Sequence, residues 1–344
     1  MGNFPPEPAM SLVIPIFIPH QGCPQHCLFC NQVSISGKLS SKVDDARYIR
    51  DTINEWLGFS RKHAEVQVAF YGGSFTCLAK ERQEVLLAAV RPFLEKGSVQ
   101  FIRLSTRPDC IDEKICDFLL KFGVKTVELG VQSLDDRVLE AARRGHTSDD
   151  SLRAMAILQE KGLTLGVQLM PGLPGESTLS FLVGLHRVIS CNPDFVRLYP
   201  TLVIGGSGLA GEYQRGRYRP LSMERAIALC CIAKERLGNA GIQIMRMGLQ
   251  ASESLEKELI AGPYHPAFGE FVAARHWFKR VRPLLAGCPA GKTLSLRISD
   301  RDMSAFVGPK RANIKRLQQL GLESRLQITT DKTLKRGTMN YVIN

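Results

Sequence analysis

The sequence lacks any long hydrophobic run. None of its apolar stretches reaches the roughly 18 residues that a membrane-spanning helix requires. The apolar segment at residues 12–19 is interrupted by Pro15, and no basic segment of the kind that opens a signal peptide precedes it. Internal repeats and low-complexity tracts are also missing. We therefore expect a cytoplasmic protein that has no contact with a membrane.

The cysteine spacing of a disulfide framework is missing as well. Seven of the ten cysteines are scattered, and free cysteines of this kind commonly behave as small buried apolar residues. They are Cys77, Cys110, Cys116, Cys191, Cys230, Cys231 and Cys288. The other three, Cys23, Cys27 and Cys30, form one tight group. In a reducing compartment such a group indicates a metal site more often than a disulfide.

Length, composition and charge are those of a folded, basic protein. The chain has 344 residues, of which 44% are hydrophobic and 23% charged. This length predicts one large α/β domain of roughly 200–250 residues with a smaller appendage. The net charge of +12 indicates an anionic partner, with nucleic acid as the first candidate. A protein that is merely basic is the alternative.

Six strand-like segments alternate with six helical patterns. The strands are predicted at residues 12–19, 66–72, 99–106, 124–132, 163–169 and 195–202, and the helices at residues 43–57, 80–94, 112–122, 134–143, 149–161 and 176–189. The alternation predicts a parallel sheet with helical crossovers. Six units are too few for a closed eightfold barrel, so we expect an α/β fold with an open, partial (β/α)6 barrel over residues of about 12–205.

Polar, glycine and proline residues gather where each predicted strand ends. Examples are the segment from His20 to Cys23, the pair Gly72 and Gly73, and Ser105. In folds of this class the chemistry lies at the carboxyl ends of the strands. We therefore expect a functional site at that end of the barrel.

The rest of the chain divides at a glycine- and proline-containing segment, residues 287–291. Helices are predicted before it, at residues 223–240 and 271–281. After it, residues 292–344 read strand, short helix, helix, strand, strand. We expect a core unit at residues 1–290, made of the barrel and a helical extension, and a small α+β unit at residues 291–344.

The spacing of Cys23, Cys27 and Cys30 is C-x3-C-x2-C. Iron-sulfur cubanes are usually held by four thiolates, so three would leave one iron open, as in a catalytic metal site. Zinc is the alternative, with His26 as the fourth ligand, but its adjacency to Cys27 gives poor chelate geometry. We predict a [4Fe-4S] cluster bound by the three cysteines.

Several motifs resemble the radical S-adenosylmethionine (SAM) superfamily. They include the cysteine triplet, with Phe29 before its last member, and the pair Gly72 and Gly73. More narrowly, four segments resemble the radical SAM domain of the Elongator catalytic subunit, over residues of about 12–250. These are residues 105–109, 128–133, 144–147 and 199–204, the last with 216–219.

The resemblance implies a reaction and its partners. The open iron would bind SAM, and reduction by a donor such as ferredoxin or flavodoxin would cleave SAM to a 5′-deoxyadenosyl radical that abstracts a substrate hydrogen. Transfer RNA is the implied substrate. The alternatives are a radical SAM enzyme for a small anionic molecule such as a porphyrinogen, and a non-catalytic protein that binds the cluster and SAM.

Two features depart from the Elongator pattern. The Elongator subunit usually has a longer interval before its last two cysteines, whereas the spacing here matches oxygen-independent coproporphyrinogen oxidase. About 50 residues follow Gly291, whereas an acetyltransferase domain requires roughly 150. We therefore expect an Elongator-like protein without that domain and do not carry over its acetyl-CoA chemistry.

The resemblance also implies which residues contact SAM. Gly72 and Gly73, which have no Cβ, would approach the methionyl amino group. Polar contacts are implied for Ser105, Gln132, Arg144 and Gln168. Arg144 suits a bidentate bond to the SAM carboxylate. A turn, cap or surface role is the alternative for each residue.

Other residues have less specific expectations. Glu128 is expected to pair with an arginine across the barrel. Arg107, Arg197 and Tyr199 are expected to face the substrate cavity. Met170 would lie beside the adenine or pack in the core.

The segment at residues 306–317 resembles the loop with which KH domains grip nucleic-acid backbone. Lys310, Arg311, Lys315 and Arg316 would supply the positive charge. Arg311 stands where the family has its second glycine. A helix-turn-helix fragment with a solvated basic face is the alternative.

Overall fold

The computed structural model describes residues 11–18, 23, 25–31, 45–59 and 65–344. In this part of the chain the strands are β1 (Ser11–Phe17), β2 (Glu65–Tyr71), β3 (Phe101–Thr106), β4 (Val124–Gln132), β5 (Thr164–Leu169), β6 (Phe195–Leu198), β7 (Val203–Ile204), β8 (Gln243–Met247), β9 (Leu259–Ala261), β10 (Leu294–Ser299), β11 (Leu326–Asp331) and β12 (Met339–Ile343). The α-helices are α1 (Asp45–Gly58), α2 (Lys80–Glu95), α3 (Glu113–Lys121), α4 (Asp136–Ala141), α5 (Ser148–Glu160), α6 (Thr178–Ser190), α7 (Gly208–Gln214), α8 (Met223–Asn239), α9 (Glu253–Glu258), α10 (Phe268–Ala286), α11 (Met303–Val307) and α12 (Ala312–Gln319).

The main sheet has seven parallel strands in the order β1-β2-β3-β4-β5-β6-β8. Within the described residues β8 does not pair with β1, so the sheet curls into an open half-barrel. The predicted α/β partial barrel is confirmed. The structure adds β8, which lies in the segment expected to be a helical extension. Its residues, Gln243–Met247, form a partly exposed edge strand without the apolar alternation that reveals a strand in sequence.

The sixth strand is shorter than predicted. It ends at Leu198 rather than at residue 202. Pro200 has no N–H to donate to a strand ladder. The chain turns here, and Thr201 donates its backbone N–H to the Pro171 carbonyl at 2.9 Å. Residues 20–22 of the polar segment expected at the end of the first strand lie outside the described residues. Residues 43 and 44 of the first predicted helix do so as well.

The two faces of the half-barrel differ in polarity because side chains alternate along each strand. The outward face is buried against the helices and includes Ile14, Val68, Leu104, Val127 and Val167. The inward face is polar. Its members include Gln67, Arg103, Glu128, Gln168 and Arg197. Convergent polar groups of this kind can fix the orientation of a bound ligand.

The carboxyl-terminal segment forms a second, smaller sheet with its own core. β10 lies between β11, which is parallel to it, and β12, which is antiparallel. Helices α11 and α12 connect β10 to β11, so the predicted order of elements is confirmed. Trp277, Val281 and Leu285 of α10 pack into this second core, while Phe268 and Val272 of the same helix pack into the main core. Because one helix serves both cores, the division near residue 290 stays a prediction.

One disulfide contradicts the expectation for the scattered cysteines. Cys77 and Cys110 are bonded, with their Cα atoms 5.6 Å apart. The two residues lie in 3₁₀ turns that follow the adjacent strands β2 and β3, and a separation of 33 residues does not reveal this proximity. The predicted role as buried apolar residues is confirmed for Cys116, Cys230, Cys231 and Cys288.

No helix among the described residues is both long and apolar enough to cross a bilayer.

Candidate active site

The segment that carries Cys23, Cys27 and Cys30, here called the cysteine loop, is fixed by backbone hydrogen bonds to two other parts of the chain. Leu28 donates its N–H to the Ala142 carbonyl at 3.0 Å and accepts from Leu209 at 2.7 Å. The Cys30 N–H donates to the Cys27 carbonyl at 3.1 Å, which makes the loop a tight turn. The loop is thus held between the segment after α4 and the first turn of α7.

Glycines make room for this loop. A Cβ on Gly145, whose φ is +78°, would overlap the Gln25 side chain, and a Cβ on Gly208 would come within 2.8 Å of Leu28. Asn31 donates its side-chain amide to the Gly205 carbonyl. The glycine-rich connection at residues 205–208 therefore serves as a cradle for the cysteine loop, a role that sequence reasoning did not assign.

The three cysteine thiols of the loop influence one another electrostatically. The pKa of Cys30 is raised to about 12, chiefly by burial and in smaller part by the neighbouring Cys27 and Cys23, while Arg144 opposes the shift. Thiolates this close need added positive charge, which a cluster provides. No three His, Cys, Asp or Glu side chains in the described part of the chain are grouped as one metal ion requires. Three mutually close thiols beside the Arg144 guanidinium fit a [4Fe-4S] cluster, which Cys23, Cys27 and Cys30 would hold.

Arg144 lies directly against this loop. Its side chain is buried, and its Nη1 donates to Cys27 Sγ at 3.4 Å while its Nη2 donates to the Gly130 carbonyl at 2.7 Å. A Cβ on Gly130 would come within 2.9 Å of Arg144 Nη2 and 2.8 Å of Gln132 Nε2. An inward glycine in a strand often marks such close approach, and this signal could have identified Gly130 from the sequence.

Gln132 and Gln168 meet at the carboxyl ends of β4 and β5. Gln168 donates its Nε2 to Gln132 Oε1 at 3.1 Å. Gln132 has a φ of +70°, which is uncommon outside glycine and lies in a region often used at functional sites. The Gln132 carbonyl accepts from the Met170 N–H at 2.9 Å. The structure therefore brings together three expected SAM contacts: Arg144 and Gln132 lie against Gly130, and Gln168 is bonded to Gln132.

The remaining expected SAM contacts lie at the ends of β2 and β3. Gly72 has a φ of +94°, and a Cβ there would come within 2.9 Å of the Ile18 carbonyl. Gly73 follows in the same bend. Ser105 lies on the inward face of β3 in register with Glu128 of β4. Among the described residues these three make no hydrogen bond to Arg144, Gln132 or Gln168.

Glu128 pairs with two arginines inside the barrel. Arg103 Nη2 lies 2.8 Å from Glu128 Oε1, and Arg197 Nη2 donates to the same oxygen at 3.1 Å. Arg197 also donates to the Tyr199 hydroxyl at 3.1 Å. The expected pairing of Glu128 is confirmed. Two guanidinium groups share one carboxylate, so the interior of the half-barrel carries net positive charge.

The expectation for Arg107 is wrong. Its side chain is 1% exposed, so it does not face a cavity. It makes a bidentate pair with Asp109, both bonds being 2.9 Å, and donates to the Arg144 carbonyl at 2.8 Å. Arg107 follows Thr106, whose side chain faces outward and bonds to Thr76 at 2.6 Å. It therefore supports the backbone of Arg144 from behind.

His146 hydrogen-bonds to the Val131 carbonyl at 3.3 Å, and Met170 packs near Phe29 of the cysteine loop. Burial, together with the charges of Arg144 and Arg107, lowers the pKa of His146 to about 4, so its ring is neutral at neutral pH. Met170 packs with Phe29 of the cysteine loop in a small apolar cluster. Met170 thus packs against an apolar cluster, and its expected place beside the adenine of SAM stays a prediction.

Two family models match most of the chain. Residues 17–181 match the model of the radical SAM superfamily, and residues 193–280 match the radical SAM C-terminal domain. Enzymes of this superfamily use a [4Fe-4S] cluster and SAM.

Two curated proteins are similar to parts of the chain. A tRNA uridine(34) acetyltransferase from Methanocaldococcus jannaschii is 41% identical over 135 residues, which are 38% of this chain and 25% of that protein. Elongator complex protein 3 from Mus musculus is 33% identical over 212 residues, which are 56% of this chain and 39% of that protein. The match thus spans well under half the length of either relative.

A solved structure shares the fold. The archaeal Methanocaldococcus infernus Elp3 with an N-terminal deletion superposes with a TM-score of 0.63 and 24% identity, covering 80% of this chain and 63% of that one. The shared half-barrel, the two family matches and the cysteine loop at the strand ends lead to one conclusion. The chain is an enzyme of the radical SAM superfamily.

Proposed function

We propose that the chain cleaves SAM at a [4Fe-4S] cluster held by Cys23, Cys27 and Cys30, and that it acts on transfer RNA. When bound, the cluster supplies the electron for reductive cleavage of SAM to a 5′-deoxyadenosyl radical. Gly72, Gly73, Ser105, Gln132, Arg144 and Gln168 would bind SAM. Cleavage also requires an electron donor such as ferredoxin or flavodoxin.

The docking of the cysteine loop supports the assignment of the cluster. The loop is tied to Ala142 and Leu209, and Arg144 already donates to Cys27. The glutamine pair Gln132 and Gln168 lies close to Arg144, because both Gln132 and Arg144 pack against Gly130. SAM bound next to the cluster would thus meet amide and guanidinium groups, which suit its carboxylate and hydroxyl groups.

The single observation that carries the RNA proposal is the loop between α11 and α12. Gly308, Lys310 and Arg311 have φ values of +77°, +52° and +60°. Glycine adopts a positive φ readily. Arg311, which stands where the second glycine is expected, has this conformation without being a glycine. The loop therefore has a tight left-handed turn between two helices.

The cations of this loop and of α12 are exposed to solvent. Lys310, Arg311, Lys315 and Arg316 are all exposed. Asn313 fixes the base of the loop, because its amide donates to the Phe306 and Ala274 carbonyls, each at 2.8 Å. Two exposed cations in the loop and two more in the following helix suit a nucleic-acid backbone. The archaeal relative is a tRNA uridine(34) acetyltransferase, which favours transfer RNA within that class.

Iron analysis tests the cluster assignment. After anaerobic reconstitution the wild type should hold about four irons per chain and should form 5′-deoxyadenosine with dithionite and SAM. Ala at Cys23, Cys27 or Cys30 should abolish both. Cys230→Ala and Cys288→Ala are matched controls that should retain iron. Loss of iron in these controls, or its retention in the first three, would contradict the assignment.

Salt-dependent binding tests the RNA proposal. Affinity for transfer RNA should fall steeply with salt, and changing Lys310, Arg311, Lys315 and Arg316 together to Ala should flatten the slope of log affinity against log salt by up to about 4. The control changes four exposed residues elsewhere to Ala, namely Lys96, Lys114, Lys121 and Arg236. Equal slopes for the two variants would contradict a role of this loop, since both lose the same charge.

A further inference from the structure

The guanidinium of Arg144 contacts both the cysteine loop and strand β4. Nη1 donates to Cys27 Sγ at 3.4 Å, and Nη2 donates to the Gly130 carbonyl at 2.7 Å. Cys27 is 6% exposed and Arg144 is 7% exposed, so water scarcely competes for this contact. A hydrogen bond from a charged donor is about twice as strong as a neutral one.

Several contacts fix the position of Arg144. Its backbone N–H donates to the Leu139 carbonyl at 2.9 Å. Its carbonyl accepts from Arg107, which is itself held by the bidentate pair with Asp109. The missing Cβ of Gly130 leaves space for the guanidinium. The hydrogen bond to Cys27 therefore results from a supported arrangement and not from a mobile surface side chain.

A donor at a ligating sulfur affects the redox properties of an iron-sulfur cluster. Reduction adds one negative charge, which spreads in part over the thiolates. A buried cation that donates to one of them stabilises the reduced form more than the oxidised form. The effect is largest where solvent is excluded, as it is around Cys27.

We propose that Arg144 raises the reduction potential of the cluster by donating a hydrogen bond to the Cys27 thiolate, in addition to any contact with SAM. This inference rests on the proposed role of Cys27 as a cluster ligand. It gives Arg144 a function that is present before SAM binds. The implied SAM contact alone would leave the potential of the SAM-free cluster unchanged.

A potentiometric titration of the reconstituted, SAM-free protein, followed by electron paramagnetic resonance (EPR), tests the proposal. At the wild-type midpoint, Arg144→Gln should show a reduced-to-oxidised ratio lowered about tenfold, which corresponds to a shift of about 59 mV to lower potential. Arg144→Lys keeps the charge but loses the planar guanidinium, so its midpoint potential should lie between those of the wild type and Arg144→Gln. Arg143→Gln is the matched control. It removes the same charge from the adjacent, exposed residue and should titrate like the wild type.

Two outcomes would overturn the inference. One is a wild-type midpoint in Arg144→Gln, even if its affinity for SAM falls. The other is an equal shift in Arg143→Gln, which would indicate a general effect of charge. A wild type that takes up no iron would instead contradict the proposed function.

A measurement on the wild type decides the matter if the Arg144 variants do not hold a cluster. Protein grown with arginine labelled with ¹⁵N in its guanidinium group should show a ¹⁵N coupling to the reduced cluster in pulsed EPR. Arg107→Lys serves as the comparison, because it removes the only other arginine that contacts Arg144 in the described residues. Absence of the coupling from the wild type, or its loss in Arg107→Lys with the midpoint retained, would overturn the inference.

Discussion

Gly130 lies directly against Arg144, and a Cβ at this glycine would stand 2.9 Å from the Arg144 Nη2 atom. The same Cβ would come within 2.8 Å of Gln132 Nε2. An alanine here would displace two of the proposed SAM contacts at once.

We therefore expect Gly130→Ala to weaken SAM binding and to destabilise the fold by about 1–3 kcal/mol, the usual cost of overpacking. Equilibrium binding of SAM and urea unfolding are the measurements. Gly238→Ala in α8 is the control, because apart from its chain neighbours and the backbone of its own helix no atom lies within 4 Å of the added Cβ. It should gain up to about 1 kcal/mol from helix propensity. Unchanged SAM affinity in Gly130→Ala would argue against the proposed contacts.

Glu128→Gln should destabilise the barrel strongly. The substitution leaves the guanidinium groups of Arg103 and Arg197 buried without a carboxylate, which costs about 3–5 kcal/mol. Urea unfolding at neutral pH measures the loss. Glu235→Gln removes one partner of an exposed pair with Lys279 and should cost less than about 1 kcal/mol. Similar losses in both variants would show that the interior pair has no special weight.

The disulfide between Cys77 and Cys110 should stabilise the protein measurably. Replacing both cysteines with Ser should lower the free energy of unfolding by about 2–4 kcal/mol, because the bond closes a loop across a separation of 33 residues. A reductant should lower the melting temperature of the wild type but not of the double variant. Alkylation of both residues in unreduced, denatured protein would show that the bond does not form.

Glu176 should make stability depend on pH. Its carboxyl group accepts from Ser133 at 3.2 Å and from the Gly172 N–H at 2.7 Å, and burial raises its pKa from 4.5 to about 7. The folded state therefore holds the proton more tightly, so the stabilisation is fully present below about pH 4.5 and is lost as pH rises through about 7. The wild type should lose stability relative to Glu176→Gln across this window.

Urea midpoints of the two proteins at about pH 5 and pH 8 measure this difference. Glu140→Gln, at an exposed position of α4, is the control and should keep the pH dependence of the wild type. Parallel pH profiles for the wild type and Glu176→Gln would mean that Glu176 titrates normally.

Local signals in the sequence were sufficient for most of the barrel. The helix predicted at residues 112–122 is present as α3, and Asp112 caps it, because its carboxylate accepts from the Ile115 N–H at 2.7 Å. The strand ends that carry Gly72, Gln132 and Gln168 were likewise marked by their own residues. These features depend on neighbours in sequence, which a pattern can register.

Features that depend on distant contacts were not predictable in the same way. Arg107 is polar and follows a strand, so it was expected in the cavity, yet Asp109 and Arg144 bury it. The bond between Cys77 and Cys110 depends on the adjacency of β2 and β3. The cradle at residues 205–208 depends on where the cysteine loop folds back. Each is a property of the assembled sheet.

Helix α10 fixes the distance between the barrel and the carboxyl-terminal core. Its 19 residues extend over about 28 Å, with one end packed beside the barrel and the other inside the carboxyl-terminal core. The exposed loop around Lys310 is therefore held at a fixed distance from the barrel and is not attached through a flexible linker. If an RNA binds to that loop, the nucleotides that reach the barrel would be those that the folded RNA places at this distance from the bound site. The choice of nucleotide would then depend on RNA geometry as well as on base sequence.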